Sequence, residues 1–302
     1  MAHSDAMIEK VRAFNRAVTQ RVGALDDRYL ARDRPLGEAR VLWEIGEHGC
    51  DVRIMRARLE LDSGYLSRLL RSLEAAGLIT VRASERDRRV RTARLTKKGR
   101  RERAVLERRS GALAWSMLEP LADAERERLV SAMVEVEKLL TVALIEIDTV
   151  DPAHHHAEHC LREYFADLDG RFDAGFDPSD SLPADPDEMR LPAGLFLVAT
   201  LRGEPIGCGA LKFHGDAPTE LKRMWVVPNA RGLGVGRRLL GELESRAAQH
   251  GSHAIRLETN RTLTEAIAMY RAAGYREVRP FNDEPYADHW FEKRLGEAVR
   301  AP

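Results

Sequence analysis

Nowhere does this 302-residue chain hold an apolar run long enough to cross a bilayer, about 18 residues or more, and its N-terminus lacks the apolar stretch of a secretory leader. Neither membrane spanning nor export is expected. Cysteine is scarce: Cys50, Cys160 and Cys208 are odd in number, far apart and form no CxxC pair. Reduced, inert thiols in a cytoplasmic protein are the expectation. Net charge is also missing, since 48 Lys and Arg face 48 Asp and Glu. That balance hides an asymmetry. Residues 51–109 carry 18 basic against 8 acidic side chains, whereas 151–215 carry 12 acidic against 5 basic. A basic block and an acidic block argue for two domains with different partners. Two phosphate signatures are absent from the one glycine-rich turn, Arg231-Gly-Leu-Gly-Val-Gly236. Arg237-Arg238 stand where a Walker A loop needs Lys-Ser/Thr, and Arg237 where a dinucleotide fingerprint needs its third glycine.

What is present around that turn is informative. An alternating apolar run from Leu221 to Val227 ends at Pro228-Asn229, and an amphipathic helix with Leu239, Leu240 and Leu243 follows the glycines. Strand, glycine turn and helix point backbone N–H groups and a helix N-terminus at an anion. Gly232, Gly234 and Gly236 are expected to keep the backbone bare for that approach.

The N-terminal half reads as helices. Met7, Val11, Phe14, Val18, Val22 and Leu25 form one stripe over 5–30, helices follow over 37–48 and 51–59, and a long helical run spans 97–147. Between them, Asp62 or Ser63 caps a helix that buries Leu66, Leu69, Leu70 and Leu73 and ends at Gly77. Its other face carries Ser63, Tyr65, Ser67, Arg68 and Arg71, small and guanidinium groups suited to a major groove. Strands at 78–82 and 90–96 flank a charged turn in which Arg86, Arg88 or Arg89 could reach phosphates or a narrow minor groove, with Asp87 orienting Arg89.

These residues resemble the MarR family of winged helix-turn-helix regulators. The wing pattern is present as Asp87, Arg89, Leu95 and Thr96, and Leu66 to Ile79 fits the preceding helix. The resemblance implies binding to double-stranded DNA as a homodimer built from the N- and C-terminal helices. The latter would use Trp115, Leu118, Leu129, Met133, Val136, Leu139 and Leu140.

Beyond a linker expected at 148–152, His154, His155, His156 and His159 sit beside Glu158 and Cys160. Consecutive histidines diverge on a helix and only His155 and His159 share a face, so no metal is expected. A helix over 160–172, a long loop over 173–193 expected to cover an acceptor site, and strands at 195–201, 205–213, 219–227, 254–259, 277–281 and 288–295 complete a mixed α/β sheet. Helices over 234–250 and 263–273 lie between the later strands.

Arg231, Gly234 and Gly236 fit the Arg/Gln-x-x-Gly-x-Gly/Ala loop of the GNAT N-acetyltransferases, and Ala266, Tyr270, Gly274 and Tyr275 are similar to that family's closing segment. The resemblance implies acetyl-CoA as co-substrate. Arg231 and the backbone of Leu233, Gly234, Val235, Gly236, Arg237 and Arg238 would hold the pyrophosphate. Val226 or Val227 N–H would face the oxyanion, and Asn260, Thr262 or Thr264 the pantetheine, since the family's usual asparagine is Leu263 here. Glu220 is the expected base, directly or through water, with Glu284 and His289 behind it, and Tyr270 the expected acid. The acidic 151–215 block suggests a cationic or amine-bearing small molecule or peptide as acceptor. The expected architecture is a winged helix-turn-helix domain over 1–149, mainly α with a β-hairpin wing, followed by an α/β GNAT acyltransferase domain over 154–302. Such a chain could be a bifunctional regulator and enzyme, a regulator that only senses acetyl-CoA, or an enzyme that keeps the winged helix for dimerisation.

Overall fold

The computed structural model describes residues 2–26, 28–83, 91–173, 175–182 and 184–296. The chain divides into two compact units, Met1–Met133 and Val134–Pro302.

In the first unit, α1 (Ala2–Arg21), α2 (Leu36–Ile45), α3 (Val52–Leu59) and α4 (Ser63–Ala75) precede a three-stranded sheet ordered β1-β3-β2, from β1 (Cys50–Asp51), β2 (Ile79–Ala83) and β3 (Arg91–Leu95). Asp62 caps α4, its Oδ1 accepting from Tyr65 N at 2.8 Å. Leu66, Leu69, Leu70 and Leu73 are buried as their spacing requires, against Val41, Leu42, Ile45 and Leu78. Ser72 Oγ donates to Glu38 Oε1 at 2.6 Å and fastens α4 to α2. The expected first helix stops at Arg21 rather than near 30, because Gly23 takes φ +67° and turns the chain. Its apolar stripe faces solvent, with Met7 54% and Val11 58% exposed.

The long helical run expected over 97–147 is two helices, α5 (Lys97–Leu118) and α6 (Asp123–Ala143). Pro120 has no N–H to donate back to Ser116 and ends α5. Arg126 then donates to Leu118 O at 2.9 Å and Glu119 O at 3.0 Å, satisfying the last carbonyls of α5. Along α6, Met133, Leu139 and Leu140 are exposed.

The expected linker at 148–152 is partly strand. Ile145–Thr149 forms β4, which pairs antiparallel with β5 (Gly194–Leu201) at the edge of the second unit's sheet. That unit continues through α7 (His155–Arg171), β6 (Glu204–His214), β7 (Ala217–Val226), α8 (Val235–Gln249), β8 (Ala254–Thr259), α9 (Thr264–Ala272), β9 (Arg276–Val278) and β10 (His289–Arg294). The seven-stranded order is β4-β5-β6-β7-β8-β10-β9. Arg202 and Gly203, both at positive φ, make the two-residue β5–β6 turn. Among the described strands only β7 and β8 pair in parallel, and their register holds for two pairs, Thr219–Ile255 and Glu220–Arg256. Beyond these the strands part. On one face α8 and α9 bury Leu239, Leu240, Leu243, Ile267 and Tyr270 against Leu211, Leu221 and Leu257. On the other, Cys160 of α7 packs against Phe196, Cys208 and Trp225. None of the described helices is long and apolar enough to cross a membrane.

Candidate functional site

The parting of β7 from β8 opens a cleft of ≈ 710 Å³, mouth included, whose walls include Leu221, Lys222, Arg223 and Met224 on one side and Glu258, Thr259 and Asn260 on the other. Tyr270 of α9, Tyr164 and Leu168 of α7, the adjoining Phe172, and Phe176, Ser181, Leu182, Glu284 and Tyr286 of two loops also line it. A bulge in β7 shapes the first wall. The β6–β7 register passes from Cys208–Trp225 to Ala210–Lys222, and Arg223 takes φ +56°. Gly209 lies opposite, where a Cβ would meet Leu243 Cδ1 at 2.7 Å. Past the bulge, Val227 N donates to Ile206 O at 2.9 Å, so it is committed to the sheet and not available to an oxyanion. Alternation along an antiparallel ladder turns the neighbouring Val226 N–H to the opposite edge, toward the parting.

At the end of β7 the chain turns into α8. Gly232 and Gly234 take φ +80° and +87°, with open space where a Cβ would sit. Gly236 is glycine for another reason: a Cβ there would meet Met269 Sδ at 3.1 Å, so it admits α9. Gly234 is the N-cap of α8 and supplies no side-chain cap. The N–H groups of Gly234, Val235, Gly236 and Arg237 have no partner among the described residues. At the ends of the expected set, Leu233 N is turned to Ala230 O at 3.4 Å and Arg238 N to Gly234 O at 3.1 Å. The first turn of α8 carries no acidic side chain and an exposed Arg237, the reverse of what its dipole favours in isolation and what an anion there would make favourable. The Arg231 guanidinium points inward, Nε to Val226 O at 3.0 Å and Nη2 to Asp167 Oδ2 at 2.5 Å, and braces the turn.

Charges in the cleft are arranged in a chain. Lys222 Nζ donates to Glu258 Oε1 and lies 3.8 Å from Glu220 Oε2. Glu220 does not line the cleft; its Oε1 accepts from Arg256 Nη2 at 2.7 Å and its Oε2 lies 3.5 Å from His214 Nε2. Burial pushes the Glu220 carboxyl up, but Lys222, the Arg256 hydrogen bond and His214 outweigh it and hold it below its usual value. Burial, with Tyr164 and Glu258 nearby, raises the Tyr270 hydroxyl, which therefore keeps its proton at neutral pH; it makes no hydrogen bond among the described residues. Burial likewise pushes Tyr164 up to about 12. Asn260 donates to Tyr286 O at 2.8 Å and accepts from Thr262 N and Oγ1, both at 2.9 Å, so both ends of its amide fasten the neighbouring loops. His289 lies outside the cleft lining and bonds Glu277 Oε1 at 2.6 Å.

Comparison with known proteins matches this frame. The model of the acetyltransferase (GNAT) family matches residues 143–275, and that of the MarR family residues 33–90. The chain joins a MarR-family domain to a GNAT-family acetyltransferase domain. An IAA acetyltransferase of Azospirillum brasilense is 42% identical over 92 residues, 30% of this chain and 59% of the relative. An uncharacterized N-acetyltransferase of Schizosaccharomyces pombe is 33% identical over 96 residues, 31% of this chain and 59% of the relative. The chain thus spans well under two thirds of either relative's length. Among solved structures, a GNAT-family acetyltransferase of Staphylococcus aureus aligns at TM-score 0.44 and 21% identity, covering 50% of this chain and 99% of that one.

In the GNAT domain, Gly234, Val235, Gly236 and Arg237 open α8 after β7, with Gly236 packed against Val226 and Met269, but none of these residues lines the cleft, and Glu220 and Val227 are held by other partners. No Asp or Glu of the acidic 151–215 block lines the cleft; Asp151 pairs with Arg190, Asp167 with Arg231 and Glu188 with Lys212. The cleft's carboxylates are Glu258 and Glu284. Glu258, Lys222, Arg223 and Tyr164 were given no role by the sequence. Alternation along β8, which puts Arg256 and Glu258 on one face, and the glycines of Gly207-Cys208-Gly209, which mark a bulge partner, were the available signals. The rings of His154, His155 and His156 touch at 4.2–5.1 Å, and no group of three or more ligand-type side chains converges among the described residues.

In the MarR domain, Ser63, Tyr65, Arg68 and Arg71 lie exposed on α4 with Ser67 half-buried between them. The Arg68 guanidinium lies 5.6 Å from the Tyr65 ring centroid and Arg71 Nε donates to Ser67 O at 3.2 Å. Arg82 and Arg91 are exposed at the wing ends of β2 and β3. Arg86, Arg88 and Arg89 lie outside the described residues.

Proposed function

We propose that this chain is an acetyl-CoA-dependent N-acetyltransferase joined to a DNA-binding regulator. The observation that carries the enzymatic half is the uncapped N-terminus of α8, with four N–H groups unpartnered among the described residues, in the turn that follows β7, the strand whose Leu221 to Met224 wall a cleft that holds Tyr270 and the Glu258–Lys222 pair. The free N–H groups of 234–237 fit a pyrophosphate, with Arg237 beside them and Arg231 bracing the turn. The acetyl thioester would lie along the parted edge of β7, where Val226 N–H is the donor available to its oxygen.

An ammonium acceptor must lose a proton before its nitrogen attacks the thioester carbon. Of the two cleft carboxylates, Glu258 is the one that Lys222 links to Glu220, so the proton would pass from the amine toward the Glu258–Lys222–Glu220 chain. The new N–C bond forms, the C–S bond breaks, and Tyr270 gives its proton to the departing thiolate. Glu258→Gln should lower kcat by about a hundredfold or more, and Glu220→Gln by less, as expected for a cleft-facing proton acceptor and a group behind it. Equal losses would remove the relay. Thiol release with amine, amino-acid and peptide acceptors tests the activity itself. Tight acetyl-CoA binding without turnover on any acceptor would establish instead the sensing role that the locked Glu220 favours.

The regulatory half rests on the exposed polar face of α4, which the fold leaves free for a major groove. The exposed stripes of α1 and α6 are the surfaces a homodimer would bury. Sedimentation showing only monomer at micromolar concentration would exclude that assembly.

A further inference from the structure

The cleft has an unusual charge inventory. Its four charged side chains are Lys222, Arg223, Glu258 and Glu284. Lys222 and Glu258 neutralise each other. Arg223 has no carboxylate partner among the described residues; its guanidinium lies 5.0 Å from the Phe165 ring centroid and 5.9 Å from that of Tyr164. Glu284, only 9% exposed, has no cationic partner among them. It accepts only from neutral donors, Leu182 N at 2.8 Å, Ser181 Oγ at 3.0 Å and Tyr286 N at 3.4 Å. One unneutralised cation and one unneutralised carboxylate therefore line the same cavity. Glu284 is buried and Arg223 half-buried, and charges withdrawn from water in this way are costly unless a partner arrives.

Aromatic rings form another wall. Phe176 lies 4.7 Å from Tyr286 and 5.8 Å from Phe172, and Phe172 lies 5.7 Å from Tyr286, centroid to centroid. All three line the cleft. A polyamine would meet the lone Arg223 cation, and a simple apolar amine would leave it unpaired.

We propose that the acceptor is a free α-amino acid with an aromatic side chain. Its carboxylate pairs with Arg223, its amino group faces Glu258 and Glu284, and its ring lies against Phe172, Phe176 and Tyr286. This rests on the N-acetyltransferase reading above and names the substrate class for the same cleft. The left-handed backbone of Arg223 serves the same end, because the bulge turns this one residue out of the strand's alternation.

The test uses the full chain and acetyl-CoA, with thiol release measured on L-tryptophan, tryptamine, L-alanine and spermidine. L-tryptophan should give the highest kcat/KM, about tenfold or more above tryptamine, which lacks the carboxylate, and above L-alanine, which lacks the ring. Tryptamine or spermidine equalling L-tryptophan would overturn the assignment. Arg223→Asn, chosen because asparagine tolerates positive φ, should reduce the preference for L-tryptophan over tryptamine about tenfold. An unchanged preference in a variant of unchanged melting temperature would also overturn it. If no acceptor releases thiol, the transferase reading fails, and calorimetry of L-tryptophan into the CoA-loaded chain decides the pocket separately. Saturable binding weakened by Arg223→Asn upholds it, and no binding refutes it.

Discussion

Two helix N-termini in this chain are finished in opposite ways. α4 begins with Asp62, whose carboxylate accepts from Tyr65 N at 2.8 Å. α8 begins with Gly234, which has no side chain to offer, and its first N–H groups have no partner among the described residues. A capped helix presents its side chains, and α4 displays Tyr65, Arg68 and Arg71 to solvent. An uncapped helix presents its backbone, and α8 displays a row of donors. The local chemistry of one residue thus separates a helix suited to reading a surface from one suited to holding an anion.

The largest effect should come from giving α8 the cap that α4 has. Gly234→Asp would place a carboxylate on the free N–H groups, at a left-handed position that aspartate tolerates better than most residues. Acetyl-CoA affinity should fall on the order of a hundredfold, roughly 3 kcal/mol, through lost charge-assisted hydrogen bonds and added repulsion. Calorimetry on the full chain would show it, and an unchanged Kd would mean that these donors do not hold the cofactor. Next comes the display side of α4. Arg68→Ala should cost about 1–3 kcal/mol of operator affinity or, if Arg68 meets only phosphate, reduce the salt slope by about one. Titrations at several salt concentrations separate the two, and no change in either would remove Arg68 from the interface.

How much of this contrast was legible beforehand depends on the distance each signal spans. The Asp62 cap, the four buried leucines of α4 and the glycine turn are local, and spacing alone located them. Pro120 was local too, and ends α5 where periodicity read straight through it. The first turn's glycines were legible as a turn but not by reason: Gly234 is needed for its φ, Gly236 for the approach of Met269. The partners of Glu220 were not legible in full. Lys222 is two residues away, but His214 comes from β6 and Arg256 from β8, and only the sheet order brings them together. The same holds for Glu258 and Glu284, which share a cleft because β8 and a later loop meet there.

Removing the α4 cap should have a smaller effect. Asp62→Ala leaves Tyr65 N without its acceptor and should cost about 1 kcal/mol of the first unit's stability. Urea unfolding followed by helicity would report it, with acetyl-CoA affinity unchanged. A simultaneous loss of acetyl-CoA affinity would show that the two helix ends do not act separately.

The smallest expected effect concerns pH, and contrasts the second unit's buried carboxylate with its uncharged replacement. Glu220 titrates below its reference value of 4.5 in the folded chain, because Lys222, Arg256 and His214 outweigh its burial. A carboxyl lowered on folding contributes stability that is present above the unfolded value and is lost as pH falls through the folded one. The loss therefore belongs below pH 4.5, not near neutrality. Glu220→Gln should be less stable than the parent at pH 7, since Arg256 and Lys222 lose a charge partner. Its stability should then fall less steeply on acidification, so the two curves converge as the parent's carboxylate takes up its proton. Urea unfolding between about pH 3 and pH 7 measures both slopes. Parallel curves would mean that Lys222, Arg256 and His214 do not hold this carboxylate down, and the ion-paired position assigned to Glu220 behind Lys222 would fail with them.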